Sequence, residues 1–229
     1  MAIFRIKEEM TRPVVLAATG LFLCLAVLYF SAAEIPHKIS FPLACLCIVS
    51  LWTTPWQISL ALLFSALGDY AGSCHNFLAQ MGFFAVGHVF YCTFFIKRWL
   101  TKVETDRRLT DRVKGRTFLF LLMTIALLTF VFTKVIPWAP AGIIRTGTGI
   151  YALLISSMMF TALQQRSSMF ALGAVLFVFS DFILAWNKFV EPVEYSRWLI
   201  MIPYYLGQWL LYVRSTPYRI RPSLKSMRF

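Results

Sequence analysis

Long apolar segments, separated by short polar connections, make up most of this chain and restrict its fold more than any other feature. They cover residues 13–33, 39–53, 57–73, 77–96, 116–136, 141–163, 168–186 and 198–213. Several approach the roughly 20 residues that a helix needs to cross a bilayer. The shorter second and third segments are separated by Thr53-Thr54-Pro55. The pattern predicts an all-α, polytopic transmembrane bundle of about eight helices, in a single transmembrane domain over residues 1–229.

The composition supports a membrane protein. Hydrophobic residues make up 59% of the chain and charged residues only 14%, whereas charged residues are about 25% of a typical soluble domain. The net charge of +12 raises the possibility of nucleic-acid binding. The basic residues, however, lie in loops and tails, where membrane topology explains them better. We therefore expect membrane lipid, and no nucleic acid, as a partner.

The distribution of basic residues predicts how the chain is oriented. With eight crossings, 17 of the 22 lysines and arginines fall on one side, in the two tails, the polar loop 97–116 and the turn at Arg166. The positive-inside rule then places both termini in the cytoplasm. Ser31-Ala32-Ala33 resembles a signal-peptidase site, but the apolar run before it is longer than the about 7–15 residues of a signal peptide. We expect an integral multi-pass protein of a bacterial inner (cell) membrane.

Cysteine and histidine do not form a metal-binding pattern. The five cysteines lie in or next to apolar segments, where a thiol acts as a small hydrophobic group. Of the three histidines, only His88 is expected to be buried, and no HxxxH or HExxH spacing occurs. The nucleophile motif GxSxG is also absent. We therefore expect neither a metal nor a cofactor.

Two acidic residues, Asp69 and Asp181, lie inside apolar segments, whereas the other eight acids lie in loops or tails. A charged carboxylate within a membrane costs at least about 2.5–3.5 kcal/mol, so acids at such positions are usually functional. The predicted topology runs both helices outward and brings both carboxyl groups near the non-cytoplasmic face. They are the candidate catalytic pair. The alternative is that each carboxyl only hydrogen-bonds a neighbouring helix.

Other polar side chains are expected at the same depth and are candidates for binding substrate. They are His88 and Tyr91 on the fourth segment, Ser180 and Asn187 on the seventh, and Tyr204, Tyr205 and Gln208 on the eighth. Small residues would let these helices approach closely. These are Gly68, Gly72, Gly87, Gly173 and Gly207.

Four short motifs in order resemble the YhhN family of membrane proteins, whose characterised members are lysoplasmalogenases. They are SALGD at 65–69, GFF with GHVFY within 82–91, the stretch 173–181 ending in FSD, and YYLGQ at 204–208. The resemblance extends over residues from about 38 to 213. The family's Lys-Pro pair at the start of the second helix is replaced here by Phe41-Pro42. Lys38, one turn earlier, is the candidate to take the place of that lysine at the substrate headgroup.

The resemblance implies hydrolysis of the vinyl ether bond of a lysophospholipid, lysoplasmalogen. The products would be a fatty aldehyde and a glycerophospho-ethanolamine or -choline. Vinyl ethers are cleaved by acid, so we hypothesise that one of Asp69 and Asp181 is protonated and donates that proton. The other, ionised, would stabilise the cation and activate water. The sequence leaves open which is which.

Three other functions remain open from the sequence. Intramembrane carboxylates often relay protons, so the chain could be a proton-coupled transporter that uses both aspartates. Leu67-Gly68-Asp69 resembles the Gly-Asp motif of intramembrane aspartyl proteases, although Ser180-Asp181 replaces their Tyr-Asp pair. The chain could also be a purely structural membrane protein.

Overall fold

A computed structural model describes the backbone of residues 2–105 and 110–216, and the side chains of residues 12–101 and 115–216. Over this part of the chain, α-helices follow one another without any strand. They are α1 (Ala2–Phe30), α2 (Phe41–Thr53), α3 (Trp56–Ser73), α4 (Phe77–Thr105), α5 (Thr110–Lys134), α6 (Ile143–Leu163), α7 (Ser168–Phe189) and α8 (Ser196–Ser215). The predicted all-α class and the predicted number of helices are confirmed for the described residues.

Five of these helices contain a stretch long and apolar enough to cross a membrane: α1, α4, α5, α6 and α7. Helix α2 is shorter, with 13 residues. Helices α3 and α8 have the length, but they turn polar side chains such as Asp69 and Gln208 toward other helices, where both are buried. The mean hydropathy of α3 and α8 is therefore lower than that of the five helices named above, although both lie within the bundle. The chain is a multi-pass membrane protein.

Several helix ends differ from the prediction. Helix α1 begins at Ala2 rather than at residue 13, with Pro13 inside it. Helix α4 continues to Thr105 and α5 begins at Thr110, so most of the predicted polar loop 97–116 is helical; residues 106–109 lie outside the described ones. The prediction ended these helices where hydropathy falls. Lysine, arginine and glutamate are good helix formers, so a helix that has already started can continue through them.

The break between α2 and α3 follows the prediction. Thr54 has an extended backbone (φ −126°, ψ 164°), as expected for a residue that precedes a proline. Its hydroxyl donates to the carbonyl of Ser50 at 3.0 Å and lies 3.3 Å from the hydroxyl of Ser59. The turn therefore uses a buried side chain in place of the interrupted helical hydrogen bonds.

Helices α7 and α8 form an antiparallel pair whose backbones approach closely. A Cβ added to Gly207 would lie only 2.8 Å from the carbonyl oxygen of Gly173, and one added to Gly173 would lie 3.0 Å from that of Gly207. Any larger side chain at either position would force the helices apart, which confirms the role predicted for these two glycines. This contact sets the register of the two helices along their common axis.

Arginines collect around the α6–α7 turn at one end of the bundle. Arg98 of α4 donates from Nε to the side-chain oxygen of Gln165 at 3.0 Å, and Arg214 of α8 donates from Nε to the hydroxyl of Ser167 at 3.1 Å. Arg116, in the second turn of α5, donates to the backbone carbonyl of Gln164 beside the same turn. We call this end, defined by Arg98, Arg116 and Arg214, the basic end.

The opposite end brings together the end of α3, the start of α4 and the end of α7. His37, before α2, lies with Nδ1 2.7 Å from the hydroxyl of Ser73, and Lys188 lies over the ring of Phe77 at 4.5 Å. Asp69 is in the last turns of α3, and Asp181 is in the second half of α7. Both aspartates therefore lie in the half of the bundle away from the basic end.

Candidate active site

Asp181 is joined to two other helices by a chain of polar side chains. The hydroxyl of Tyr151, on α6, donates a short hydrogen bond to Oδ2 of Asp181. The same hydroxyl lies 3.0 Å from Nε2 of His88, on α4, and this nitrogen is 3.8 Å from Asp181 Oδ2. The three side chains form a continuous path from the carboxyl group of Asp181 into the core.

His88 is held in place by rings as well as by this hydrogen bond. Its side chain is buried, with its ring centroid 4.8 Å from that of Phe177 and 5.4 Å from that of Tyr151. The second ring nitrogen, Nδ1, is buried without a hydrogen-bond partner among the described residues. A buried polar atom is rarely left unpaired. This nitrogen can therefore gain or lose a proton without breaking a hydrogen bond to a described residue.

Asp69 has a different neighbour. Its carboxyl group is 2% exposed, and its Oδ2 accepts a hydrogen bond of 3.1 Å from the hydroxyl of Tyr204 on α8. The ring of Tyr204 packs against those of Phe84 at 5.9 Å and Phe177 at 5.3 Å. Because Phe177 also contacts His88, a layer of aromatic rings connects the surroundings of the two aspartates.

A cavity of about 230 Å³ opens beside Asp181. Its buried end is formed by Ser180, Tyr204 and Phe84, and its exposed end by Arg197 at the start of α8. Among the described residues, Asp181 and Arg197 are the only charged ones that line it, and Asp69 is not part of its wall. We call it the polar-mouthed cavity. Tyr204 thus stands between Asp69 and the space that a ligand can occupy.

Ser180 is a buried residue among those that line this cavity. Ser180 is 1% exposed, and its Oγ has no hydrogen-bond partner among the described residues. A serine in a helix commonly satisfies its hydroxyl on the carbonyl one turn earlier. This hydroxyl is therefore a buried, unsatisfied group on the residue that precedes Asp181.

A second, smaller cavity of about 50 Å³ lies on the other side of Asp181, between α5, α6 and α7. Its walls are mostly apolar, with side chains such as Leu127, Val131 and Val178, and its polar members include Tyr151 and Asp181. We call it the apolar cavity. The carboxyl group of Asp181 therefore borders two spaces of different polarity.

Other candidate binding residues bond to one another inside the bundle. Tyr91 donates to the side-chain oxygen of Gln208 at 2.6 Å, and the Gln208 amide donates to the hydroxyl of Ser65 at 2.9 Å. All three residues are buried. Tyr205 donates to the backbone carbonyl of Ile39 at 2.8 Å. Neither of these two sets of hydrogen bonds ends at a free group in the wall of the two cavities described above, so both serve to tie helices together.

Two further candidates lie near helix ends, Asn187 in the last turn of α7 and Lys38 in the connection between α1 and α2. The side-chain oxygen of Asn187 accepts from the backbone N–H of Val193 at 2.8 Å and so closes the turn before α8. Lys38 donates from Nζ to the carbonyls of Ser31 and Ala33 at 2.8 and 2.6 Å. Neither residue is part of the wall of the polar-mouthed cavity.

Sequence reasoning missed two residues of the site. Tyr151 lies in an apolar segment, and its hydroxyl was the only signal that it needs a partner there. Arg197 entered the sequence argument only as one of the few basic residues outside the predicted cytoplasmic side. No group of three or more histidine, cysteine, aspartate or glutamate side chains capable of holding a metal occurs within the part of the chain that the structure describes.

Comparison with known proteins assigns the chain to a family. A sequence model of the YhhN family matches residues 35–215. The mouse protein "Lysoplasmalogenase TMEM86B" is 32% identical over 180 residues, which cover 74% of this chain and 70% of the mouse protein. The bovine "Lysoplasmalogenase TMEM86A" is 29% identical over 215 residues, 82% of each chain. No solved structure matches. The match covers all four motifs and the helices that carry both buried aspartates, and the chain belongs to the YhhN family.

Proposed function

We propose that this chain is a lysoplasmalogenase-type hydrolase and that it cleaves the vinyl ether bond of lysoplasmalogen at Asp181. Its family and the names of its relatives support this class of reaction. The position of Asp181 between the polar-mouthed cavity and the apolar cavity is the observation that carries the assignment to this residue.

The two cavities fit an amphiphilic substrate. A lysoplasmalogen has a charged headgroup at one end of a glycerol unit and a hydrocarbon chain at the other, with the vinyl ether at their junction. The headgroup would occupy the polar-mouthed cavity, and the first carbons of the chain would enter the apolar cavity. The vinyl ether would then lie against the carboxyl group of Asp181.

The reaction needs one proton donor and one water molecule. Protonated Asp181 gives its proton to the alkenyl carbon next to the ether-bearing carbon, which forms an oxocarbenium ion and leaves a carboxylate. Water adds to the ether-bearing carbon and gives its proton to that carboxylate. The hemiacetal then loses its hydroxyl proton as the bond to the glycerol oxygen breaks and this oxygen is protonated. Tyr151 would stabilise the transient carboxylate through its hydrogen bond.

Asp69 would act through Tyr204. Because the Tyr204 hydroxyl donates to Asp69, the lone pairs of its oxygen are free to accept a hydrogen bond on the cavity side. In that position Tyr204 would orient the attacking water and stabilise the developing positive charge. His88, one step further along the Tyr151 path, would return the proton to Asp181 or hold it between steps.

The orientation in the membrane is part of the proposal. With the basic end in the cytoplasm, as the positive-inside rule favours, both termini are cytoplasmic and Arg197 lies toward the non-cytoplasmic face. A bacterial inner membrane suits this arrangement. A lysolipid from the outer leaflet would then reach the polar-mouthed cavity headgroup first.

Deuterium incorporation tests the reaction. Purified protein in detergent is given lysoplasmalogen in heavy water, and the released fatty aldehyde is analysed by mass spectrometry. Protonation at carbon predicts one solvent deuterium on the carbon next to the aldehyde group. Aldehyde release without this deuterium would contradict the mechanism, and absence of aldehyde would contradict the function and favour the proton-coupled transporter.

Two related lipids are the controls. The saturated ether analogue has no double bond to protonate and should remain intact. The acyl (ester) lysolipid tests for ordinary lysophospholipase activity, which this site is not expected to have because it lacks an activated serine or cysteine. Cleavage of the saturated ether at a comparable rate would exclude protonation of the alkenyl carbon as the key step.

A further inference from the structure

Arg197 is fixed at the exposed end of the polar-mouthed cavity by contacts with α1. Its Nη2 donates to the backbone carbonyl of Tyr29, and its guanidinium group lies 4.7 Å from the ring centre of Tyr29 and 5.7 Å from that of Phe30. These contacts hold one face and one edge of the group. A guanidinium has five N–H donors in a planar fork, so most of its donors remain for another partner.

The charge of Arg197 is not neutralised by the protein. Within the described residues, no carboxylate lies within ion-pair distance of Arg197. Most of the other residues that line the cavity, among them Ile39, Ile200 and Met201, are apolar. A rigidly held cation at the mouth of a mostly apolar cavity is suited to bind an anionic group of a ligand.

The register of α7 and α8 brings Arg197 close to the level of Asp181. Counted from the Gly173–Gly207 contact, Asp181 is about 12 Å along α7 and Arg197 about 15 Å along α8, at about 1.5 Å per residue. The two backbone positions therefore differ by only about 3 Å along the common axis. A small ligand in the cavity can reach the carboxyl group of Asp181 and the guanidinium of Arg197 at the same time.

Two more features beside these residues suit a polar ligand. Ser180 lines the inner end of the cavity, and its buried hydroxyl has no hydrogen-bond partner within the described residues. At the outer end, Ser196 and Arg197 open the 20-residue helix α8, whose dipole favours an anion. The cavity thus has a polar residue beside Asp181 at its inner end and a positive field at its mouth.

We propose that Arg197, at the amino end of α8, binds the phosphate of the lysolipid and selects phosphate-bearing ethers over neutral ones. The inference rests on the proposed function for the identity of the lipid. A guanidinium group binds phosphate through two parallel hydrogen bonds. With the phosphate at Arg197, the glycerol unit extends inward past Ser180, and the ether bond reaches Asp181.

Two ether lipids separate this role from a structural one. The first is the lysoplasmalogen, and the second is the same alkenyl ether of glycerol without phosphate, both at fixed mole fraction in detergent micelles. Arg197→Gln is expected to raise KM for the lysoplasmalogen by about tenfold or more, with a smaller change in kcat, and to leave the neutral ether unaffected. Arg197→Lys should recover part of the loss, because a point charge attracts phosphate without the fork.

Lys188→Gln is the matched control. It removes a cation at the same end of the bundle, where Lys188 lies over Phe77 outside the cavity wall, and both KM values should stay unchanged. An equal loss for both lipids in Arg197→Gln would mean that Arg197 only holds α1 against α8. No loss for either lipid would also overturn the proposal.

A binding measurement makes the test independent of turnover. The non-cleavable saturated lysoether with phosphate should raise the Tm of the wild-type protein in detergent, and that of Arg197→Gln much less, whereas the saturated glycerol ether should affect both equally. If the phosphate lipid stabilised the wild-type protein and Arg197→Gln equally, the phosphate site would be refuted even in an active enzyme. Selective stabilisation of a protein that releases no aldehyde would keep the phosphate site and reject the proposed reaction.

Discussion

The two buried aspartates look alike in the sequence but occupy different surroundings. Asp69 is 2% exposed, hydrogen-bonds Tyr204 and borders neither cavity. The side chain of Asp181 is 9% exposed, borders both cavities and is linked through Tyr151 to His88. Burial of an acid in a membrane helix therefore marks it as important without saying whether a substrate can reach it.

Neighbouring side chains explain why Asp69 is enclosed. Gly68 lets the ring of Phe84 lie so close to α3 that an added Cβ would be 3.1 Å from it. Phe84 and Tyr204 then separate Asp69 from the polar-mouthed cavity, and both line its wall. Asp181 lies instead where α7 faces a cavity on each side. The proposed division of labour, with Asp181 at the substrate and Asp69 behind Tyr204, follows from this difference.

Replacing Asp181 is expected to have the largest effect. Asp181→Asn keeps an oxygen to accept from Tyr151 but has no acidic proton, so kcat on lysoplasmalogen should fall by about 10³-fold, within the range of general acid catalysis. Steady-state aldehyde release in detergent measures this loss, with Tm as the check on folding. Wild-type kcat in a folded Asp181→Asn protein would remove Asp181 from the mechanism.

Asp69→Asn should have a smaller effect, because Asp69 acts through Tyr204. We expect about 10- to 100-fold lower kcat. Tyr204→Phe should cost a similar factor, and the double variant should lose little more than the worse single one, since residues that work as a unit are not additive. Kinetics of the two single variants and the double variant provide the test. Fully additive losses would show that the two residues act separately.

Tyr151→Phe tests the path behind Asp181. Loss of the hydrogen bond to the carboxyl group should lower kcat by about tenfold with little change in KM, measured as aldehyde release at saturating substrate. Tyr212→Phe is the matched control, because its buried hydroxyl lies 3.2 Å from that of Thr53, and Tyr212 lines neither cavity. Equal effects in both variants would mean that loss of any buried tyrosine hydroxyl has the same consequence.

Gln208→Leu is expected to change activity least. Gln208 is fully buried between Tyr91 and Ser65, away from the cavity wall. Leaving those partners unsatisfied should lower the free energy of unfolding by about 1–3 kcal/mol, whereas kcat of the folded protein should stay within about twofold of wild type. Denaturation in detergent and kinetics at low temperature measure the two quantities. A large loss of kcat at unchanged stability would instead assign Gln208 to the active site.

The sequence by itself determined the helical class and the break at Thr53-Thr54-Pro55. It also identified Asp69 and Asp181 as the candidate catalytic pair. Each of these follows from local properties: runs of apolar residues, the constraint before a proline, and the cost of an acid in lipid. The close contact between Gly173 and Gly207 was also predictable, because only small residues allow two helix backbones to meet.

Only the tertiary structure decided which partners each aspartate has and where a ligand can enter. Tyr204 and Asp69 are 135 residues apart in the chain, and Tyr151 and Asp181 are 30 apart. Such residues meet because of how each helix is rotated and how it is aligned along its neighbours. The periodicity of a single helix determines neither the rotation nor the alignment. For the same reason Arg197 was counted only as a loop charge until α8 packed against α1 and α7 and placed it at the mouth of a cavity.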